Sequence, residues 1–415
     1  MEAHLSSHVE DGLLESLNFK PPGASANYVL ETRKVRFFAE ASDTFGPNSR
    51  VIRFRLVDQG FWEPASSRIQ FTLHNKDASN ALVPIAGPLA MFSRIRVFVS
   101  GIQVENWDFV GESAVMTDRL KGAARRQNDS VEHHLLTTGT GDAYQSIAAS
   151  GARKVMFQLP CGTTMMDKWM PMSLVSGGLV IECELSADVD QAFDNTNLPN
   201  WEITNVSLLC SMHTVDSSLA NSYAKHILSG NSINYHTKSM VTTKHLITGS
   251  TFTIPIVRGF SRLCQVYMTL HKRSVSSEKP ILDFYSPVNN AALSTTSDVA
   301  TFQLSIGSRR WPERPSDSIG EQWLRLREAA GVAYGESEIS ILPTDFCNRK
   351  SITAWDLERV GHQGASHSGL STKNGDIMTI DVKNSGLGGS GDYALIYMVF
   401  ENLFALRDGS VDVYD

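Results

Sequence analysis

Through two long blocks of this chain every second side chain is apolar, and that two-residue period restricts those blocks to β-strands with one face on a core and one in water. In VIRFRLV, Ile52, Phe54 and Leu56 alternate with Arg53 and Arg55; in SSRIQFTLHN, Ile69, Phe71 and Leu73 alternate with Arg68, Gln70 and Thr72. SRIRVFVSG repeats the pattern with Ile95, Val97 and Val99, RKVMFQLP with Val155, Phe157 and Leu159, and GGLVIECELS with Leu179, Ile181, Cys183 and Leu185. A second block follows, in STFTIPIV (Phe252, Ile254, Ile256), SRLCQVYMTLHKR (Cys264, Val266, Met268, Leu270), ATFQLSIGS (Phe302, Leu304, Ile306) and DIMTIDVKN (Met378, Ile380, Val382). YALIYMVF is apolar on both faces, as a central strand covered on each side must be.

The 415 residues divide between these blocks. Between them, residues 215–238 are polar and low in alternation. Leu219, Tyr223 and Ile227 recur four apart there, which predicts a short amphipathic helix between two domains. The reading is all-β: two tandem sandwiches with a few short helices, each block of ordinary domain size. The boundaries are a lead-in over 1–26, a first sandwich over 27–214, a linker with a short helix over 215–238 and a second sandwich over 239–415.

Two helical signals occupy comparable places. One, WDFVGESAVMTDRLKG near 107–122, follows the SRIRVFVSG strand; the other, DSIGEQWLRLREAAG at 317–331, follows FQLSIGS. In the second, Ser318 and Glu321 have capping-box spacing and Gly331 is placed to end the helix. A helix at the same relative position in each block suggests an internal duplication. Residues 122–152 and 361–375 read as long polar loops at the sandwich ends, the kind of insertion that makes contacts.

Composition excludes some functions. A net charge of −7, from 37 Lys and Arg against 44 Asp and Glu, argues against a protein that wraps nucleic acid by charge. No apolar run reaches membrane-span length, and MEAHLSSHVEDGLLESLNF lacks a basic region before an apolar core, so the expectation is a soluble chain that is not secreted. Cys161, Cys183, Cys210, Cys264 and Cys347 are widely spaced with no CxxC pair, which suits buried free thiols.

Few residues offer chemistry. GLGGSG at 386–391 matches G-x-G-x-x-G, but a strand follows it rather than a helix, so it reads as a glycine-rich turn. Asp188, Asp190 and Asp194 lie close in sequence without the glycine or closing glutamate of a calcium loop. His133 with His134, and His362 with His367, lack the Cys or carboxylate that would complete a metal set. Arg125 and Arg126 read as a solvated or salt-bridged pair. Arg309, Arg310 and Arg314 surround WPERP, read as a rigid, apolar-tipped loop suited to an interface. Asn128 and Asn205 stand in glycosylation sequons that carry no meaning without secretion. No catalytic, cofactor or metal residue is assigned.

YVLETRKVRFFAE, SRVIRFRLVDQGFWEPASSRIQFTLHN, FQLSIGSRRWPERPSDSIGEQWLRLREAAG and the tail FENLFALRDGSVDVYD together resemble the double jelly-roll major capsid proteins, most closely those of virophages and polinton-like viruses. The resemblance spans nearly the whole chain. It implies two jelly rolls and a homotrimer forming a pseudo-hexameric capsomer in an icosahedral shell around double-stranded DNA. It also implies contacts with neighbouring capsomers, penton and minor capsid proteins, and a place in the virion after synthesis in a host cell. Leu13, Leu14, Leu17 and Phe19 would then pack beneath the capsomer against a neighbour or another shell component. Trp62, Trp107, Trp169, Trp311 and Trp323 are candidates for subunit contacts where they are not core. The alternatives are a lectin-like tandem sandwich, using loop aromatics and the Asp188 loop with calcium, and an enzyme on a jelly-roll scaffold such as a cupin or glycosidase.

Overall fold

The computed structural model describes residues 28–135, 137–138, 143–189, 191–194, 199–273, 281–287, 300–332, 339–359, 369–373, 376–407 and 410–414. The lead-in, Asp190, His362 and His367 lie outside the described residues. In the first unit, β1 (Val29–Phe38), β2 (Thr44–Phe45), β4 (Phe61–Asn75), β9 (Ala152–Phe157), β10 (Met170–Pro171) and β12 (Trp201–Val215) form one sheet. The facing sheet holds β3 (Val51–Leu56), β5 (Phe92–Val99), β6 (Ile102–Asp108) and β11 (Leu179–Leu185), in the order β3-β11-β5-β6. A small hairpin of β7 (Thr137–Thr138) and β8 (Ala143–Tyr144) stands apart.

The second unit repeats the plan. β13 (Ile233–Leu246), β15 (Leu263–His271), β18 (Thr353–Asp356), β20 (Tyr393–Arg407) and β21 (Ser410–Tyr414) make one sheet, ordered β13-β20-β15-β18 with β21 on β20. The other is β14 (Phe252–Ile256), β19 (Met378–Lys383), β16 (Thr301–Ile306) and β17 (Arg309–Ser316), ordered β14-β19-β16-β17. Counted along the principal strands, each unit pairs first, eighth, third and sixth in one sheet, and second, seventh, fourth and fifth in the other. That order in two facing antiparallel sheets is the jelly roll.

The alternating residues meet between the sheets. Phe71 and Phe92 pack on Phe157 in the first unit at centroid distances of 5.9 and 5.7 Å. In the second, Phe260 packs on Phe400 at 5.1 Å beside buried Phe302 and Ile380. As the sequence predicts, β20 is apolar on both faces: Ala394, Ile396 and Met398 fill the sandwich, while Leu395 and Tyr397 join a core continuous with the first unit.

Several elements depart from the sequence reading. The first helix is α1 (Val110–Arg119), so Trp107 and Asp108 belong to β6. Residues 122–152 are not all loop: α2 (Ala123–His133) lies within them, and its buried side chains are Arg126 and Ser130, which carry no apolar period. WPERP is not a loop but the middle of β17, an edge strand, where proline is tolerated because no neighbour needs its missing N–H. α4 (Ser217–Leu228) forms where Leu219, Tyr223 and Ile227 predict it, with the Asp216 carboxylate accepting from the Ser218 N–H. β13 begins at Ile233, inside the segment read as linker.

α5 (Ile319–Ala329) forms with Ser318 Oγ accepting from the Glu321 N–H. Glu321 turns to Arg325 instead of closing the capping box. Gly331, at φ 75°, donates to the Glu328 carbonyl while the Val332 N–H reaches Arg327, the Schellman ending that glycine permits. α1 and α5 both fall between the fifth and sixth strands of their units, one strand later than the sequence suggests but still equivalent.

Candidate functional site

The seam between the two jelly rolls is where side chains from distant sequence converge. It is built from β6, from the short helix α3 (Gly162–Met165) and from β13. Glu105 on β6 is 4% exposed, and its carboxylate accepts from Gly162 N–H at 2.8 Å, Thr163 N–H at 3.0 Å, Thr163 Oγ1 at 2.8 Å and, across the seam, Ser239 Oγ at 3.0 Å. Burial pushes the Glu105 carboxyl above its ordinary range, against the pull of those four donors. Asn402 Nδ2 donates 2.7 Å to the Val104 carbonyl, capping the β6 edge from the second unit.

Backbone fits against backbone beside this node. A Cβ on Gly162 would sit 2.2 Å from the Lys238 carbonyl oxygen, so glycine is required by the approach of the two units. Further along, the Tyr235 hydroxyl donates to the Trp169 carbonyl at 3.3 Å. Sequence reasoning missed Glu105, Gly162, Ser239 and Asn402. The one available signal was a glutamate on a strand position that the alternation would leave half-buried.

The outer face of the β3-β11-β5-β6 sheet is a charge ladder. Glu182 on β11 lies in register with Arg53 on β3 and Arg96 on β5 and pairs with both, at 2.6 Å to Arg53. Burial opposes the Glu182 charge, yet the two guanidiniums outweigh it and hold the carboxyl below the usual range. Arg94 pairs with Asp108 at 2.5 Å.

The sequence candidates scatter. All five cysteines are buried and free. Burial raises the Cys210 and Cys264 thiols to about 12, which leaves them protonated and unreactive. GLGGSG is a turn between β19 and β20: Gly388 and Gly389 donate their N–H groups to the buried Asp392 carboxylate at 3.1 and 2.8 Å, so an internal side chain occupies the place a phosphate would take. Asp188 and Asp194 are loop residues, and among the described residues no three His, Cys, Asp or Glu gather as a metal set. Arg125 is exposed, whereas Arg126 is buried against Asp118 at 2.9 Å, a correction to the reading of both as surface. Arg309, Arg310 and Arg314 project from exposed positions of β17. Trp62 and Trp107 are core, Trp311 and Trp323 are half-buried, and Trp169, 37% exposed, stacks on His213 at 3.8 Å. Among the described residues no helix is long and apolar enough to cross a membrane.

Two jelly rolls in tandem, joined at a seam and alike in strand order, define a double jelly-roll protein. No family model and no curated protein matches the chain. Solved structures do. PBCV-1 VP54, fitted into a cryo-EM reconstruction of the virophage Sputnik, superposes with a TM-score of 0.63 at 8% identity, over 95% of this chain and 98% of that one. A chain of the Sputnik virophage structure gives 0.58 at 9% identity over 96% and 91%, and the Faustovirus major capsid protein gives 0.57 at 9% over 95% and 92%. At such identities the likeness establishes the fold.

Proposed function

We propose that this chain is a viral major capsid protein that trimerises into pseudo-hexameric capsomers of an icosahedral shell around a double-stranded DNA genome. The observation that carries the reading is the pair of topologically equivalent jelly rolls: three chains supply six sandwiches, the number a pseudo-hexagon needs. The fold shared with the Faustovirus major capsid protein over nearly all of both chains supports it. The chain would act in the virion after synthesis in a host cell, with penton and minor capsid proteins as further partners. Its units would be a lead-in over 1–26 and two jelly rolls, the first closing with β12 at Val215 and the second opening with β13 at Ile233 rather than at 239, with α4 in the linker between them. The role is structural rather than enzymatic, a reading supported by the fold shared with a major capsid protein.

The net charge of −7 suits a shell that encloses a genome without gripping it. The test is the native mass of the purified chain, followed by negative-stain imaging. A stable trimer, shells or hexagonal arrays support the proposal. A monomer that binds sugar in a calcium-dependent way overturns it.

A further inference from the structure

A cavity of about 380 Å³ lies between the two jelly rolls, beneath α1 and α2. The volume falls in the range of small-molecule sites, roughly 300–1,000 Å³. An apolar part of its wall comes from both units, Trp107 and Val115 from the first and Leu282, Met240 and Val399 from the second, with Thr117, Gln158 and Ser239 as polar neighbours. Two titratable groups of the lining are held in their neutral forms. Burial raises the Tyr144 phenol to about 12 and lowers His133 below the ordinary histidine value, as a water-poor interior does.

The rim carries charge, and the carboxylates there are already engaged. Asp118 pairs with Arg126 at 2.9 Å, Asp129 with Lys121 at 2.9 Å and Glu132 with Arg68 at 2.5 Å. Arg125 also lines the opening, is exposed, and among the described residues no ion pair engages it. One guanidinium outside these ion pairs therefore stands at a chamber with an apolar wall. Inside, the buried Trp107 Nε1–H has no acceptor among the described residues.

We propose that this cavity binds a single-chain amphiphilic anion, its acyl tail against Val115, Met240 and Val399 and its carboxylate or phosphate head at Arg125. A free fatty acid and a lysophospholipid share the required chemistry. The site is complete within one chain, so it stands independently of the capsid proposal.

The test uses the full chain with dodecanoate, a twelve-carbon lysophosphatidate, dodecanol and inorganic phosphate, read by native mass spectrometry and titration calorimetry. The expected result is a 1:1 complex with dodecanoate, lysophosphatidate or both, the tighter head identifying the source, and none with phosphate. Arg125→Glu, a surface change that leaves the fold intact, should weaken the anions about tenfold and dodecanol little. Val115→Trp should fill the chamber and abolish binding, with far-UV circular dichroism confirming that it folds. No 1:1 complex with either anion, phosphate binding as tightly as they do, or unchanged anion affinity in Arg125→Glu overturns the proposal.

Discussion

The two jelly rolls share one strand order but protect the same edge differently. The fifth strand of the first unit, β6, contains no proline; it is covered by β13 of the second unit, with Asn402 capping the Val104 carbonyl. The fifth strand of the second unit, β17, carries Pro312 and Pro315, and most of its residues are exposed. Gln303 on the neighbouring strand donates to the Pro312 and Glu313 carbonyls at 3.1 and 3.2 Å. An unpaired edge is a template for association, so it must be docked or disarmed, and here one copy of the strand takes each route. The outer faces differ as well: Glu182 is flanked by Arg53 and Arg96, while Asp381, on the equivalent strand, is flanked by Thr253 and Gln303.

The largest test of that contrast is at the docked edge. Gly162→Val places side-chain atoms within the Lys238 backbone and should cost on the order of 3 kcal/mol or more, splitting denaturant unfolding into two transitions as the units separate. A single transition at the original midpoint would mean that the seam does not couple them.

Glu105→Ala comes next. It leaves buried donors from Thr163 and Ser239 without an acceptor and should cost about 2–3 kcal/mol. Glu105→Gln refines this by pH. Because the folded carboxyl is raised, its contribution is fully present below the ordinary glutamate pKa and is lost as pH rises through the folded value. The stability of the native chain relative to the glutamine variant should therefore fall with rising pH, measured by urea midpoints; a pH-independent difference would remove Glu105 from the titration.

On the outer faces the effects are smaller. Glu182→Gln should cost about 1 kcal/mol, since its arginines are partly exposed, and the loss should shrink in high salt. Asp381→Asn, which among the described residues meets the Thr253 hydroxyl at 2.6 Å, should change stability by about 0.5 kcal/mol or less. Equal costs at the two sites would erase the contrast. Pro315→Val should leave the unfolding midpoint nearly unchanged but raise light scattering at high concentration, because it restores an edge donor.

The strands whose faces meet a sandwich interior are legible from alternation, as in β3, β5, β16 and β19. β12 is not, because register shifts near Thr204 and Leu209 interrupt its period. β13 is hidden for another reason: its buried positions include Tyr235, Thr237 and Ser239, hydroxyl side chains that look solvated until the first unit lies against them. α2 escapes notice because its buried face is Arg126 and Ser130.

By itself, the sequence determined the fold class, the two-unit division, the linker helix and the burial of the cysteines, since all follow from local period and residue type. Only the tertiary structure decided the seam around Glu105, the conversion of WPERP into an edge strand and the cavity beneath α1 and α2. Those depend on which surfaces meet over separations as long as that between Val104 and Asn402, and hydropathy along the chain carries no record of such a meeting when the groups that meet are polar.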